Sequence, residues 1–135
     1  MRIMIDTNVL ISIFLFPSAK MHRLVDAITE QHTIVLPSYV LEELKGVIKR
    51  KFSQKYALLD KFIQELPFTL AYTPEKIDAK KYPEIRDKKD LPILVTAILE
   101  DVDILITGDA DFVAVESETE RPEILTPASY LEKYA

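Results

Sequence analysis

Short apolar runs alternate with longer amphipathic stretches along the chain, and this alternation constrains the fold more than any single residue does. Arg2–Ile5, Thr33–Leu36, Phe68–Tyr72 and Asp103–Ile106 have the length and apolar character of strands, and Glu123–Leu125 is a shorter fifth candidate. Between them the spacing predicts helices over Asn8–Phe16, Ala19–Glu30, from Ser38 to about Phe52, over Tyr56–Leu66 and over Leu91–Glu100. A last helix is expected from Pro127. Pro17 separates the first two helices, Pro67 ends the fourth, and Ser38 is placed as a helix cap. Tyr82–Asp90 reads as a polar connection and Val115–Pro122 as a surface loop. Strands that alternate with helices predict an α/β domain, a three-layer sandwich around a largely parallel central sheet.

Its 135 residues, 48% apolar and 29% charged, suffice for one domain with a real core, taken as residues 1–135. The absence of cysteine excludes disulfides, thiolate metal sites and Cys nucleophiles. No apolar run reaches transmembrane length, and Met1–Asp6 lacks the apolar core of a signal peptide. The expected location is therefore cytoplasmic, with no membrane partner. The net charge of −5 is unevenly spread, because residues 100–135 hold ten acids against two bases. Lys45, Lys49, Arg50, Lys51, Lys55 and Lys61 cluster in one segment, either as a solvated helix face or as a phosphate-attracting rim.

In open parallel sheets, ligands bind beyond the carboxyl ends of the strands. Asp6 follows the first strand, and Asp109 follows the fourth through Thr107-Gly108, where glycine is expected to ease a tight exit. Asp101 and Asp103 lie at the opposite strand end and are set aside. The helix from Ser38 has an apolar stripe of Val40, Leu41, Leu44, Val47 and Ile48. At about 100° per residue, Glu43 lies at the edge of that stripe and Glu42 opposite it, so Glu43 is selected. Asp90 stands just before a helix with Pro92 in its first turn, and Asp87 competes for the same role. Asp111 follows Asp109 by two residues within Thr107-Gly108-Asp109-Ala110-Asp111-Phe112.

Each acid has an ordinary explanation. Asp6 and Asp90 suit helix caps, Glu43 a boundary ion pair, and Asp109 a turn followed by a cap. Gathered at one sheet mouth, however, such carboxylates raise one another's pKa unless a cation neutralises them. Oxygen donors without Cys or a His pair favour Mg2+ or Mn2+ over zinc. Thr7 and Asn8 are expected to hold Asp6 by hydrogen bonds, and Thr107 to support a ligand in the same way.

Asp6-Thr7-Asn8-Val9-Leu10, Glu43 within Leu41-Glu42-Glu43-Leu44, Asp90 ahead of an apolar helix, and Thr107–Phe112 together resemble the PIN domain family. The resemblance spans nearly the whole chain. It is nearest to small prokaryotic PIN proteins similar to VapC-type toxins of toxin–antitoxin systems. Arg86-Asp87-Lys88-Lys89-Asp90 also resembles that subgroup, which often carries more than one acid there. The resemblance implies a parallel sheet with helices on both sides, Mg2+ or Mn2+, RNA cleavage, a homodimer and a neutralising antitoxin. It implies that Asp6, Glu43, Asp90 and Asp109 serve as ligands or general bases. Asp6, Asp90, Asp109 and Asp111 would bind metal, and cleavage would leave a 5′-phosphate and a 3′-hydroxyl. Lys45, Lys49, Arg50 and Lys51 follow Glu43 on its helix and are the expected RNA-binding rim.

Three other readings make different demands. A phosphoacceptor receiver domain needs a Lys at the end of its last strand, where Thr126-Pro127 stands. A haloacid-dehalogenase-type phosphatase needs a second Asp two residues after Asp6, a position held by Asn8. A non-catalytic PIN-like RNA- or protein-binding module would be marked by loss of the acids.

Overall fold

Burial of successive residues, rather than of every second one, marks strands that are covered on both faces. A computed structural model describes residues 1–135. In it β1 (Arg2–Ile5) buries Ile3, Met4 and Ile5 in succession, and β4 (Ile104–Ile106) buries every residue. With β2 (Thr33–Pro37), β3 (Thr69–Ala71) and β5 (Glu123–Leu125) they form one sheet in the order β3-β2-β1-β4-β5. Every pairing is parallel.

The helices are α1 (Thr7–Leu15), α2 (Ala19–Gln31), α3 (Ser38–Lys51), α4 (Tyr56–Glu65), α5 (Leu91–Leu99), α6 (Ala110–Val115) and α7 (Pro127–Tyr134). They cover both faces of the sheet, which is the α/β sandwich that the alternating pattern predicts. The centre of the core is β1 and β4 with Leu36, Leu44, Phe112 and Tyr130 packed around them. No helix is long and apolar enough to cross a membrane.

The strand order positions the site. From β1 the chain steps outward to β2 and β3, then returns to the other flank of β1 for β4 and β5. The direction reverses between β1 and β4, which opens a crevice at their carboxyl ends. Ile5 pairs with Ile106, so Asp6 and Thr107 leave the sheet side by side. Asp6 N donates to Ile106 O at 3.1 Å, and Thr107 N donates to Leu125 O at 2.9 Å.

Three local expectations are corrected. Ser38 does not cap α3: the helix begins at Ser38 itself, behind Pro37, which still belongs to β2 and makes no capping side-chain bond. The Ser38 hydroxyl instead accepts from Thr73 N at 2.9 Å and ties the start of α3 to the exit of β3. Val115–Pro122 is not wholly loop. Phe112 and Val115 are both buried, three residues apart on the short helix α6, which is followed by a 3-10 turn at Glu116–Glu118. Two apolar residues at that spacing anchor one and a half turns, too little for a periodicity to be read in sequence. Gly108 is not required by its backbone, since no glycine has a positive φ and a Cβ there would meet nothing within 4 Å.

Candidate metal centre

Asp6 sits at the end of β1 and is only 3% exposed. Its Oδ1 accepts from Val9 N at 2.9 Å, so it caps α1. Its Oδ2 accepts from the Thr107 hydroxyl. Burial pushes its carboxyl up to about 6; the bonds from Thr107 and Val9 oppose the rise, and the charges of Asp109 and Glu43 add to it. The same Thr107 hydroxyl accepts from Asp109 N at 3.0 Å. One side chain thus links the acids that follow β1 and β4. Asp109 in turn caps α6, its carboxylate accepting from Asp111 N at 2.8 Å.

Asp90 stands at the cap position of α5 but makes no capping bond with its side chain. Its Oδ2 is buried and has no hydrogen-bond partner. Burial pushes this carboxyl up to about 7, assisted by the closeness and charge of the Asp109 carboxyl and by the charges of Asp87 and Asp111. Asp90, Asp109 and Asp111 bring carboxylate oxygens within 4.8 Å of one another. Crowded like charges, a donor set of oxygen alone and an orphaned buried oxygen fit a hard divalent cation.

Glu43 is half-buried on α3 and its Oε1 accepts from the Thr7 hydroxyl, whereas Glu42 is exposed. The helix phase therefore distinguishes the two glutamates as their spacing suggests. Asp6 stays outside the tightest group, with both oxygens hydrogen-bonded, although each retains a further lone pair. Asp87 also stays outside it; its Oδ1 accepts from Lys89 N at 3.0 Å, a turn contact.

Several supporting residues differ from expectation. Thr7 bonds Glu43 rather than Asp6, because its side chain leaves α1 toward α3. Asn8 is exposed and does not hold Asp6; only its backbone carbonyl is engaged, by the Ser12 hydroxyl. Lys45, Lys49, Arg50 and Lys51 are exposed, but α3 is one continuous helix and they do not share a side. At roughly 100° per residue, Lys45 and Lys49 point away from Glu43, and Arg50 alone returns near its direction, two turns on.

Sequence reasoning missed Tyr39 and Arg86. Tyr39 lies one turn before Glu43; burial raises its phenol, and the charges of Glu43, Asp90 and Asp87 act in the same direction. An i, i+4 spacing to Glu43 was the available signal. Arg86 donates from Nε to Asp111 Oδ1 at 2.9 Å, so the acidic group does have one basic partner.

A family model described as the PIN domain matches residues 2–111. No curated protein matches the chain. Among solved structures the chain is similar to VapBC2 from Rickettsia felis, bound there to a DNA fragment from their promoter. That likeness has 19% identity and a TM-score of 0.70, over 93% of this chain and 98% of that one. A second likeness is to VapC20 of Mycobacterium tuberculosis, a sarcin–ricin loop cleaving toxin. It has 12% identity and a TM-score of 0.59, over 84% of this chain and 94% of that one. At these identities the likeness is one of fold.

Proposed function

The chain belongs to the PIN domain family, and on that premise we propose that it is a Mg2+- or Mn2+-dependent endoribonuclease, acting as the toxin of a toxin–antitoxin system in the cytoplasm. The observation that carries this reading is the Asp90, Asp109 and Asp111 group, with its orphaned Asp90 oxygen, beside the β1–β4 crevice. We take residues 1–135 as the single domain that does this work.

Asp90, Asp109 and Asp111 would hold the cation, with Asp6 close behind them. When bound, such a cation supplies positive charge against a phosphodiester and makes water easier to deprotonate. Thr107 holds Asp6 and the backbone of Asp109 in one arrangement, so the carboxylates are fixed before RNA arrives. Glu43, steadied by Thr7, would serve as a further ligand or as the general base toward the attacking water. Hydrolysis leaves a 5′-phosphate and a 3′-hydroxyl, and no side-chain nucleophile is involved. An antitoxin and a second copy of the chain, as a homodimer, are the protein partners in this reading. A non-catalytic binding module would not need carboxylates crowded at such electrostatic cost.

The test is incubation of the purified protein with a mixed RNA pool, in Mn2+ or in EDTA, followed by mapping of the ends. We expect fragments with 5′-phosphates in Mn2+ alone, absent from an Asp109→Asn variant. Equal cutting in EDTA, or by that variant, would reject the reading.

A further inference from the structure

The acidic group borders an open groove of about 1050 Å³ between residues 79–91 and α6, and Arg86 and Asp111 both line it. That space is ample for a nucleotide-sized ligand. Half-buried Tyr82 and Leu91 line it with apolar surface against which a base can rest.

Arg86 is the one base that pairs with any of the three clustered carboxylates, and it does so through Nε alone. Its two Nη groups make no hydrogen bond to the protein, and its side chain is 80% exposed. The Asp111 end of this pair is only 16% exposed, so in the empty centre Arg86 offsets one of the crowded charges, a task that a bound cation would take over. A guanidinium with a vacant fork is suited to bidentate contact with a phosphate.

The charge balance of the groove points the same way. With Arg86 paired to Asp111, the remaining lining charges are Lys80 and Lys88 against Glu84 and Glu118. A cation that takes over Asp111 leaves Arg86 unpaired and turns this balance positive, beside the place where a phosphate would lie.

We propose that Arg86 is a phosphate-binding residue of this centre: it leaves Asp111 when a divalent cation loads and grips a backbone phosphate of a single-stranded RNA lying in the groove. The inference rests on the ribonuclease reading above. It gives the strand a path along residues 79–91 rather than along the bases of α3.

Two measurements on wild type, Arg86→Ala and Arg86→Lys test it. One is fluorescence anisotropy of a short labelled mixed-sequence RNA across a salt series, with Ca2+ keeping the centre loaded and a gel checking that the strand stays intact. The other is Mn2+ calorimetry. Arg86→Ala should bind RNA roughly tenfold more weakly, as expected for loss of a charged hydrogen-bond pair. Its log–log salt slope should fall by about 0.7, with Mn2+ affinity undiminished. Arg86→Lys should keep the slope and recover only part of the affinity, since an ammonium lacks the fork. RNA binding by Arg86→Ala equal to wild type, or Mn2+ affinity lost together with RNA affinity, would overturn the assignment. If wild type cleaves RNA while Arg86→Ala binds it normally, only the Arg86 inference fails; if wild type neither binds nor cleaves, the ribonuclease reading fails with it.

Discussion

Asp90 is the residue whose chemistry most needs a missing positive charge. It occupies a cap position without capping, keeps a buried oxygen without a partner, and faces Asp109. Replacing it with Asn removes one of the crowded charges. We therefore expect metal-free Asp90→Asn to melt at or above the wild-type temperature, while the stabilisation given by Mn2+ is largely lost. Thermal melts with Mn2+ and with EDTA measure both, and an undiminished Mn2+ effect would remove Asp90 from the centre. The glutamates make a second contrast. Glu43→Gln should abolish RNA cleavage and Glu42→Gln should leave most of it, because Glu43 alone reaches Thr7. At this scale the sequence was legible where periodicity speaks, as it does for Glu43 on α3. It was silent where a side chain chooses between neighbours. Thr7 turns to α3 rather than to Asp6, and Arg86 meets an acid 25 residues away.

Among elements, the strands that were easiest to read are those buried at every position. β4 is such a run and β1 is one from Ile3 onward, and the ends of both locate Asp6 and Asp109 from the sequence. Edges were harder: the expected Phe68–Tyr72 strand shortens to Thr69–Ala71, and Tyr72 is 78% exposed beyond its end. The brief helix α6 escaped because its two buried residues establish no period. The last helix carries a prediction of its own. Tyr130 on α7 is fully buried, yet its hydroxyl has no hydrogen-bond partner. Burying a hydroxyl without a bond costs roughly 1–3 kcal/mol, while its hydration in the unfolded chain opposes folding. Tyr130→Phe should therefore be neutral or raise stability by up to about 1 kcal/mol, read as a shift in denaturant midpoint without a change in slope. A clear loss would show that the hydroxyl has a partner.

For the whole molecule, the acidic centre links stability to pH and to metal. Both Asp6 and Asp90 have folded-state values raised above 3.8, to about 6 and about 7. Over that interval the folded, metal-free chain holds more protons than the unfolded one. Its stability contribution from these groups is thus greatest at low pH and is lost as pH rises through about 6 and about 7. A cation that needs the same carboxylates ionised reverses the trend, so its stabilisation grows as the protons leave. At a hundredfold excess over Kd a single site adds about 2.7 kcal/mol. Melting curves across this interval in EDTA should fall toward higher pH more steeply than curves in Mn2+. The reverse order would mean that the carboxylates are not mutually destabilised in the empty centre. The most direct measurement is anomalous diffraction from crystals of this protein soaked in Mn2+. We expect a Mn2+ peak within coordination distance of oxygens from Asp90, Asp109 and Asp111, including the Asp90 Oδ2 that has no partner in the protein. Crystals that bind Mn2+ only elsewhere, or leave those three carboxylates without a peak, would contradict the assignment of a metal centre at the β1–β4 crevice.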